Sequence, residues 1–167
     1  RSLRDVTAVN MAPGPAAPAF VAGQNDAAMT YEPFLSSVRA APQAGKIIAT
    51  TLDYPMVMDT FGCTPAFIQA NEAAVRALAK SYFEALEMIK TNQAEAYRIM
   101  GADVRQTAEQ FGNSAQYLRW QDQAANKTFF AGEWRTFSEK AADLLLELGI
   151  IRNKPNFDTM VDTRFIQ

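Results

Sequence analysis

The chain has no histidine and a single cysteine, Cys63. Without histidine, neither a Ser-His-Asp triad nor a Cys/His zinc site can be built, and one cysteine cannot close an intrachain disulfide. A lone cysteine fixes no redox compartment. Gly-rich phosphate loops, paired-acid hydrolase spacing and metal-ligand clusters are also missing. The longest apolar runs are far shorter than the roughly 20 residues a membrane-spanning helix needs. Sixteen basic residues stand against 18 acidic ones, for a net charge of -2. No basic stripe interleaved with aromatics is present, and nucleic acid as a partner is set aside on that ground.

What remains is the composition of a folded protein, 49% hydrophobic and 20% charged over 167 residues. That length carries one domain with a core, or two small lobes. No signal peptide is visible. The chain starts on Arg1 rather than methionine and enters a strand pattern almost at once, so it is expected to be a piece of a longer protein.

The first third alternates at short spacing. "DVTAVNM" (5–11), "NDAAMTY" (25–31), "KIIATTL" (46–52) and "MVMDTFGC" (56–63) are short apolar runs that read as buried strands. Between them, "APGPAAP" reads as a loop, with Pro18 in the first turn of a short helix ending at Gly23. Pro33 opens a second helix with Phe34, Leu35 and Val38 as its apolar stripe. Alternation of this kind predicts parallel βαβ units and an α/β layer. After Pro65 the period becomes helical. Val75, Leu78, Tyr82, Leu86 and Ile89 form one face, with Asn71 as the expected N-cap. A further helix runs from Asn92 to a stop at Gly101, and another is placed around 104–111. The stretch "YLRWQDQAANKTFFAG" reads as irregular, and a strong stripe from Trp134 to Leu148 closes at Gly149. "TTLDYPMVMD" joins the two halves as a candidate hinge.

Two carboxylates stand out. Glu32 lies before Pro33, where a strand hands over to a helix; it is either a helix cap or a group facing a ligand. Asp59 sits inside an apolar run, so it is either a structural partner or a ligand group, because a desolvated carboxylate must be paired. Asp53, Tyr54 and Pro55 read as a turn. Cys63 reads as a small packed side chain, since nothing activates it. Tyr82, Phe83, Tyr97 and Trp134 read as core, and Arg119 and Trp120 as surface packing or a cleft wall.

The order "DVTAVNM…AFVAGQNDAAMTYEPFLS", "DYPMVMDTFGCTPAFIQANEAAVRALAKSYFEAL", "AADLLLELGII" and "VDTRFI" resembles the substrate-binding proteins of ABC importers. The closest branch is the nitrate/sulfonate/taurine type, which shares the periplasmic binding protein type II fold with thiamine-pyrimidine-precursor binders. The resemblance implies two α/β lobes joined by hinge strands, present here only in part. Residues 1–52 would belong to the second lobe, 53–60 to the hinge crossing, and 61–167 to the helix-rich C-terminal part of the first lobe. The N-terminal part of the same protein would lie upstream.

The resemblance further implies a binding protein rather than an enzyme, with no cofactor. It would be periplasmic or lipid-anchored at the outer face of the cytoplasmic membrane. Its partners would be a small-molecule ligand and the membrane subunits of an ABC permease. Asp59 matches an acid that contacts the ligand amine in taurine-binding relatives. Tyr31 and Glu32 fall on the cleft-side "Y-E-P" turn, and Thr30 and Thr60 flank these positions. Two acids at a cleft favour a ligand with a cationic group. The alternatives on the same fold are a thiamine-pyrimidine-precursor synthase, which relies on histidine and iron, and a ligand-sensing domain.

Overall fold

Prolines at 13, 15 and 18 start a helix rather than a loop. In the computed structural model, which describes residues 5–54 and 57–167, helix α1 runs Pro13–Val21 with Pro13 in its first turn. The missing N–H groups of Pro13 and Pro15 fall where no intrahelical acceptor exists, so only Pro18 removes a bond from the helix. The helix therefore begins earlier than expected, and it ends as expected. Gly23 has φ +72° and the next N–H, that of Gln24, reaches back to the Ala19 carbonyl at 2.9 Å.

The chain forms two units. The first comprises 1–54 and 98–117. Here α1 packs on the short α2 (Leu35–Arg39), and the packing residues are small: Ala16, Ala17, Ala19, Val38 and Ala41 are buried. The Phe34 ring lies over Gly14, where a Cβ would come within 3.3 Å of it. Phe111, Ser114 and Ala115 of α6 (Ala108–Ala115) are buried in the same unit. Thr107 and Gln110 form a reciprocal capping box at the start of α6.

The second unit comprises 55–97 and 118–167. Thr64 caps α3 (Pro65–Ala70), accepting from the Phe67 N–H at 3.2 Å, and α3 packs on α4 (Glu72–Thr91). Asn71 stands at the expected N-cap position of α4, but its side chain donates to the Phe67 carbonyl instead. Leu86 and Ile89 are the buried end of the α4 stripe. The stretch expected to be irregular is largely helical: α7 (Gln123–Thr128), a π-helical turn at Phe129–Glu133, and α8 (Trp134–Glu147) follow without a break. Asp122 starts this run by accepting from the Ala125 N–H at 3.0 Å. Phe129, Phe130, Trp134 and Phe157 stack in sequence along it. Gly149, with φ +68°, ends it in the left-handed turn its position predicts.

The helix α5 (Gln93–Asp103) runs past Gly101. The chain reverses instead at Arg105, which holds φ +58°, while the Gln106 N–H reaches the Gly101 carbonyl at 2.8 Å. Gly101 is a site of close approach, since a Cβ there would lie 2.9 Å from the Gln106 carbonyl oxygen.

The strand expectations are not met among the described residues, which contain no strand. Residues 7–12, 27–31, 45–50 and 57–64 have no regular structure. A strand exists only when a neighbouring strand takes its N–H and C=O groups, and no described segment does so. Their apolar side chains stay out: Met29 is 82% exposed and Ile48 86%. The α/β character of the sequence pattern is thus not visible in these residues. Met56, the first residue of one expected strand, and Pro55 of the expected turn lie outside the described residues. No described helix is long and apolar enough to cross a membrane.

Two outcomes follow. Gly101→Ala should lower stability by about 1–3 kcal/mol, because backbone rather than a flexible side chain must yield; a melting curve superimposable on wild type would show that the 106–107 turn yields freely. The Asp122 carboxyl is held below 3.8, first by the Ala125 N–H and then by Lys90. Its contribution is complete above that value and is lost as pH falls through the lower folded one. Asp122→Ala should therefore flatten the acid limb of the stability profile, and an unchanged acid limb would exclude this cap as a source of it.

Candidate functional site

The turn at 30–34 is tied down from both sides. The Thr30 hydroxyl donates to the Pro13 carbonyl at 2.7 Å, fixing the turn to the start of α1. The Leu35 N–H closes it by donating to the Tyr31 carbonyl at 2.8 Å. The Glu32–Pro33 peptide is cis. Glu32 is not the cap of α2, whose N-cap position is Phe34. Its two oxygens go elsewhere: Oε2 accepts from the Ser36 hydroxyl at 2.7 Å, and Oε1 pairs with Arg39 Nη1. Ser36 and Arg39, three residues apart, share one face of α2, and Glu32 reaches that face from the preceding turn.

This ion pair is largely out of water. The Glu32 side chain is 8% exposed and that of Arg39 25%. The guanidinium lies 3.7 Å from the centre of the Tyr117 ring, so it is covered on one face by an aromatic. A looser polar string continues inward. Ser36 Oγ lies 3.4 Å from Ser114 Oγ, and Gln106 Nε2 donates to Ser114 Oγ at 3.5 Å. Gln106 Oε1, buried, ends the string without a partner in the structure. Tyr31 differs from its neighbours: it is 59% exposed, and its ring rests at 5.9 Å against Phe34.

Asp59 and Thr60 belong to the second unit and are exposed, in a segment without regular structure. Thr30, Tyr31 and Glu32 are thus brought together in one unit, and Asp59 and Thr60 lie beside each other in the other. The Asp53 turn forms as read: Thr50 Oγ1 and N–H donate to its carboxylate at 2.7 and 3.0 Å and hold the carboxyl below its ordinary value, the hydroxyl first. Cys63 is exposed rather than packed. Tyr82 and Phe83 are half-buried and meet edge-on, and Phe61 meets Tyr82 likewise.

A shallow cleft of about 500 Å³ opens in the second unit beside α4, walled by Arg76, Lys80, Phe83, Glu84, Arg164 and Phe165 among others. Its cations already have partners: Arg76 with Glu72 at 2.7 Å, Lys80 with Glu84 at 3.5 Å, and Arg164 with Asp162 at 2.6 Å. It contains none of the candidate ligand contacts Thr30, Tyr31, Glu32, Asp59 and Thr60. No group of three or more His, Cys, Asp or Glu side chains capable of holding a metal occurs among the described residues. Arg39, Ser36, Ser114 and Tyr117 were missed at the level of sequence. The helical spacing of Ser36 and Arg39, just after Glu32, was a usable signal for two of them; nothing local points to Ser114 or Tyr117.

A family model described as the NMT1-like family matches residues 2–101. This covers more than half of the chain and includes both the Tyr31–Glu32 turn and Asp59, so the chain belongs to the NMT1-like family. The family has a periplasmic binding protein-like fold, and its members are generally binding proteins. Comparison with curated proteins and with solved structures gives no match.

The burial of Glu32 decides the size of the ion-pair effect. An exposed pair contributes at most about 1 kcal/mol, whereas removing one partner of a buried pair costs several. For this pair, with Arg39 still partly wet, Arg39→Ala should cost about 2–3 kcal/mol of folding stability. A loss under about 0.5 kcal/mol by denaturant titration would place the pair in the surface class.

Proposed function

We propose that the protein is the solute-binding component of an ABC importer, capturing a small organic solute by hinge closure and delivering it to a membrane permease. The observation that carries this reading is the family match over residues 2–101, which spans the turn and the acid that the motif order had singled out. The solute classes in view are sulfonates such as taurine, nitrate, and pyrimidines. Binding shifts the population toward the closed form, and the permease reads that form. The protein acts at the outer face of the cytoplasmic membrane, periplasmic or lipid-anchored.

The exposed apolar segments around Val6, Met29, Ile48 and Val57 support a second part of the reading. Runs of β-branched and apolar residues that face water have the composition of strands and would be covered if neighbouring strands were present. The proposal assigns those neighbours to an N-terminal part of the same protein, and assigns 1–52, 53–60 and 61–167 to the second lobe, the hinge crossing and the first lobe. Asp59, Thr60, Thr30, Tyr31 and Glu32 are the proposed site residues. Asp59 is the foremost proposed ligand contact, on its match to the acid that contacts the ligand amine in taurine-binding relatives.

The test is direct. Native mass spectrometry of the full-length protein, recovered without denaturation, should show a bound small solute, and calorimetry with that solute should give a dissociation constant. Asp59→Ala should weaken it at least tenfold, about 1.4 kcal/mol. Equal affinity would remove Asp59 from the site; turnover of the solute in place of retention would turn the reading to an enzyme on the same fold.

A further inference from the structure

The three side chains of the Thr30–Glu32 turn are not equally free. Thr30 donates its hydroxyl proton to the Pro13 carbonyl. Glu32 has one carboxylate oxygen on Ser36 and the other on Arg39. Tyr31 projects, 59% exposed, with Phe34 beneath it. Arg39 in turn is covered by the Tyr117 ring. The negative charge of Glu32 is therefore balanced inside its own unit before any solute arrives.

A solute ammonium would meet a carboxylate that is 8% exposed and already held by Arg39 and Ser36, and to neutralise it the ammonium would have to compete with Arg39. That exchange is unfavourable on general grounds. A guanidinium stays charged at every accessible pH and loses little orientational freedom on pairing. It is also already attached, whereas a free solute gives up translational freedom to bind.

We infer that Glu32 serves the solute site as a positioning residue, acting through Arg39 to fix the turn, and that the solute is met in this unit by the Tyr31 side chain. The solute then needs no cationic group on account of Glu32. This inference rests on the solute-binding reading, and it removes one of the two acids on which a preference for cationic ligands was founded. Tyr31 offers an apolar face together with a hydroxyl that both donates and accepts, which suits a planar or polar neutral part of a solute.

The experiment uses the full-length protein and whichever of taurine, nitrate or hydroxymethylpyrimidine it retains in calorimetry. Glu32→Ala should weaken binding about tenfold and lower the melting temperature. The exchange of charges, Glu32→Arg with Arg39→Glu, should recover affinity to within threefold, because the pair is restored with its sign reversed. Tyr31→Ala should weaken binding more than tenfold while leaving the melting temperature within about 2 °C, since its ring is exposed; Tyr31→Phe then shows the share of the hydroxyl.

An exchanged pair that refolds to the wild-type melting temperature yet binds no better than Glu32→Ala would make Glu32 a direct contact and overturn the inference. Undiminished binding by Tyr31→Ala would overturn it as well, even if the exchanged pair failed to fold. Retention of none of the three solutes by the wild type would instead fell the solute-binding reading for these classes, and the inference with it.

Discussion

Every backbone N–H and C=O taken out of water has to be paired, and a helix alone can do this within one stretch of chain. That constraint orders the whole structure. Where the sequence supplies a helical period and a way to start and stop, an element forms: Thr64, Thr107 and Asp122 accept the first free N–H groups, and Gly149 turns the chain at the far end. Where the sequence is rich in apolar and β-branched residues without that period, as in "KIIAT" or "VMDTF", the chain has neither helix nor strand. Those side chains are outside because a sheet has to exist before it can cover them.

The same accounting explains a charged pair that is protected from water. Glu32 and Arg39 approach along α2 and its preceding turn, and they are shielded by Tyr117, a residue far away in sequence. Exposed pairs elsewhere, whether one helical turn apart as Lys80 with Glu84 or distant as Arg135 with Asp158, sit in solvent, where screening leaves them little energy. The Glu32 pair is removed far enough from water for its loss to matter to the fold. It also secures the turn that carries Tyr31, so a protected ionic contact lies next to an exposed aromatic.

Membership of the NMT1-like family gives these local facts a setting, because the family has a periplasmic binding protein-like fold. Groups fixed before binding cost less order when a partner arrives. A turn tied by Thr30 on one side and by Glu32 on the other is fixed in this way. Asp59, in the other unit, is exposed.

Much of the helical half was legible in the sequence. The α4 and α8 stripes, the ends at Gly23 and Gly149 and the Asp53 turn all follow from spacing and from residues that act on their near neighbours. The early start of the helix at 13–21 and the whole helix at 123–128 were missed, because proline and mixed polar composition mask a helix whose start is well capped or needs no N–H. Gly101 looked like a stop and proved to be a contact, since the identity of a glycine does not reveal what lies against it. The sequence by itself determined that Ser36 and Arg39 share a face, because helical geometry fixes that at short range. That Tyr117 and Ser114 complete the cluster, and that the carboxylate is therefore balanced and withdrawn from water, was decided only by tertiary structure: burial depends on what distant residues bring to the same place.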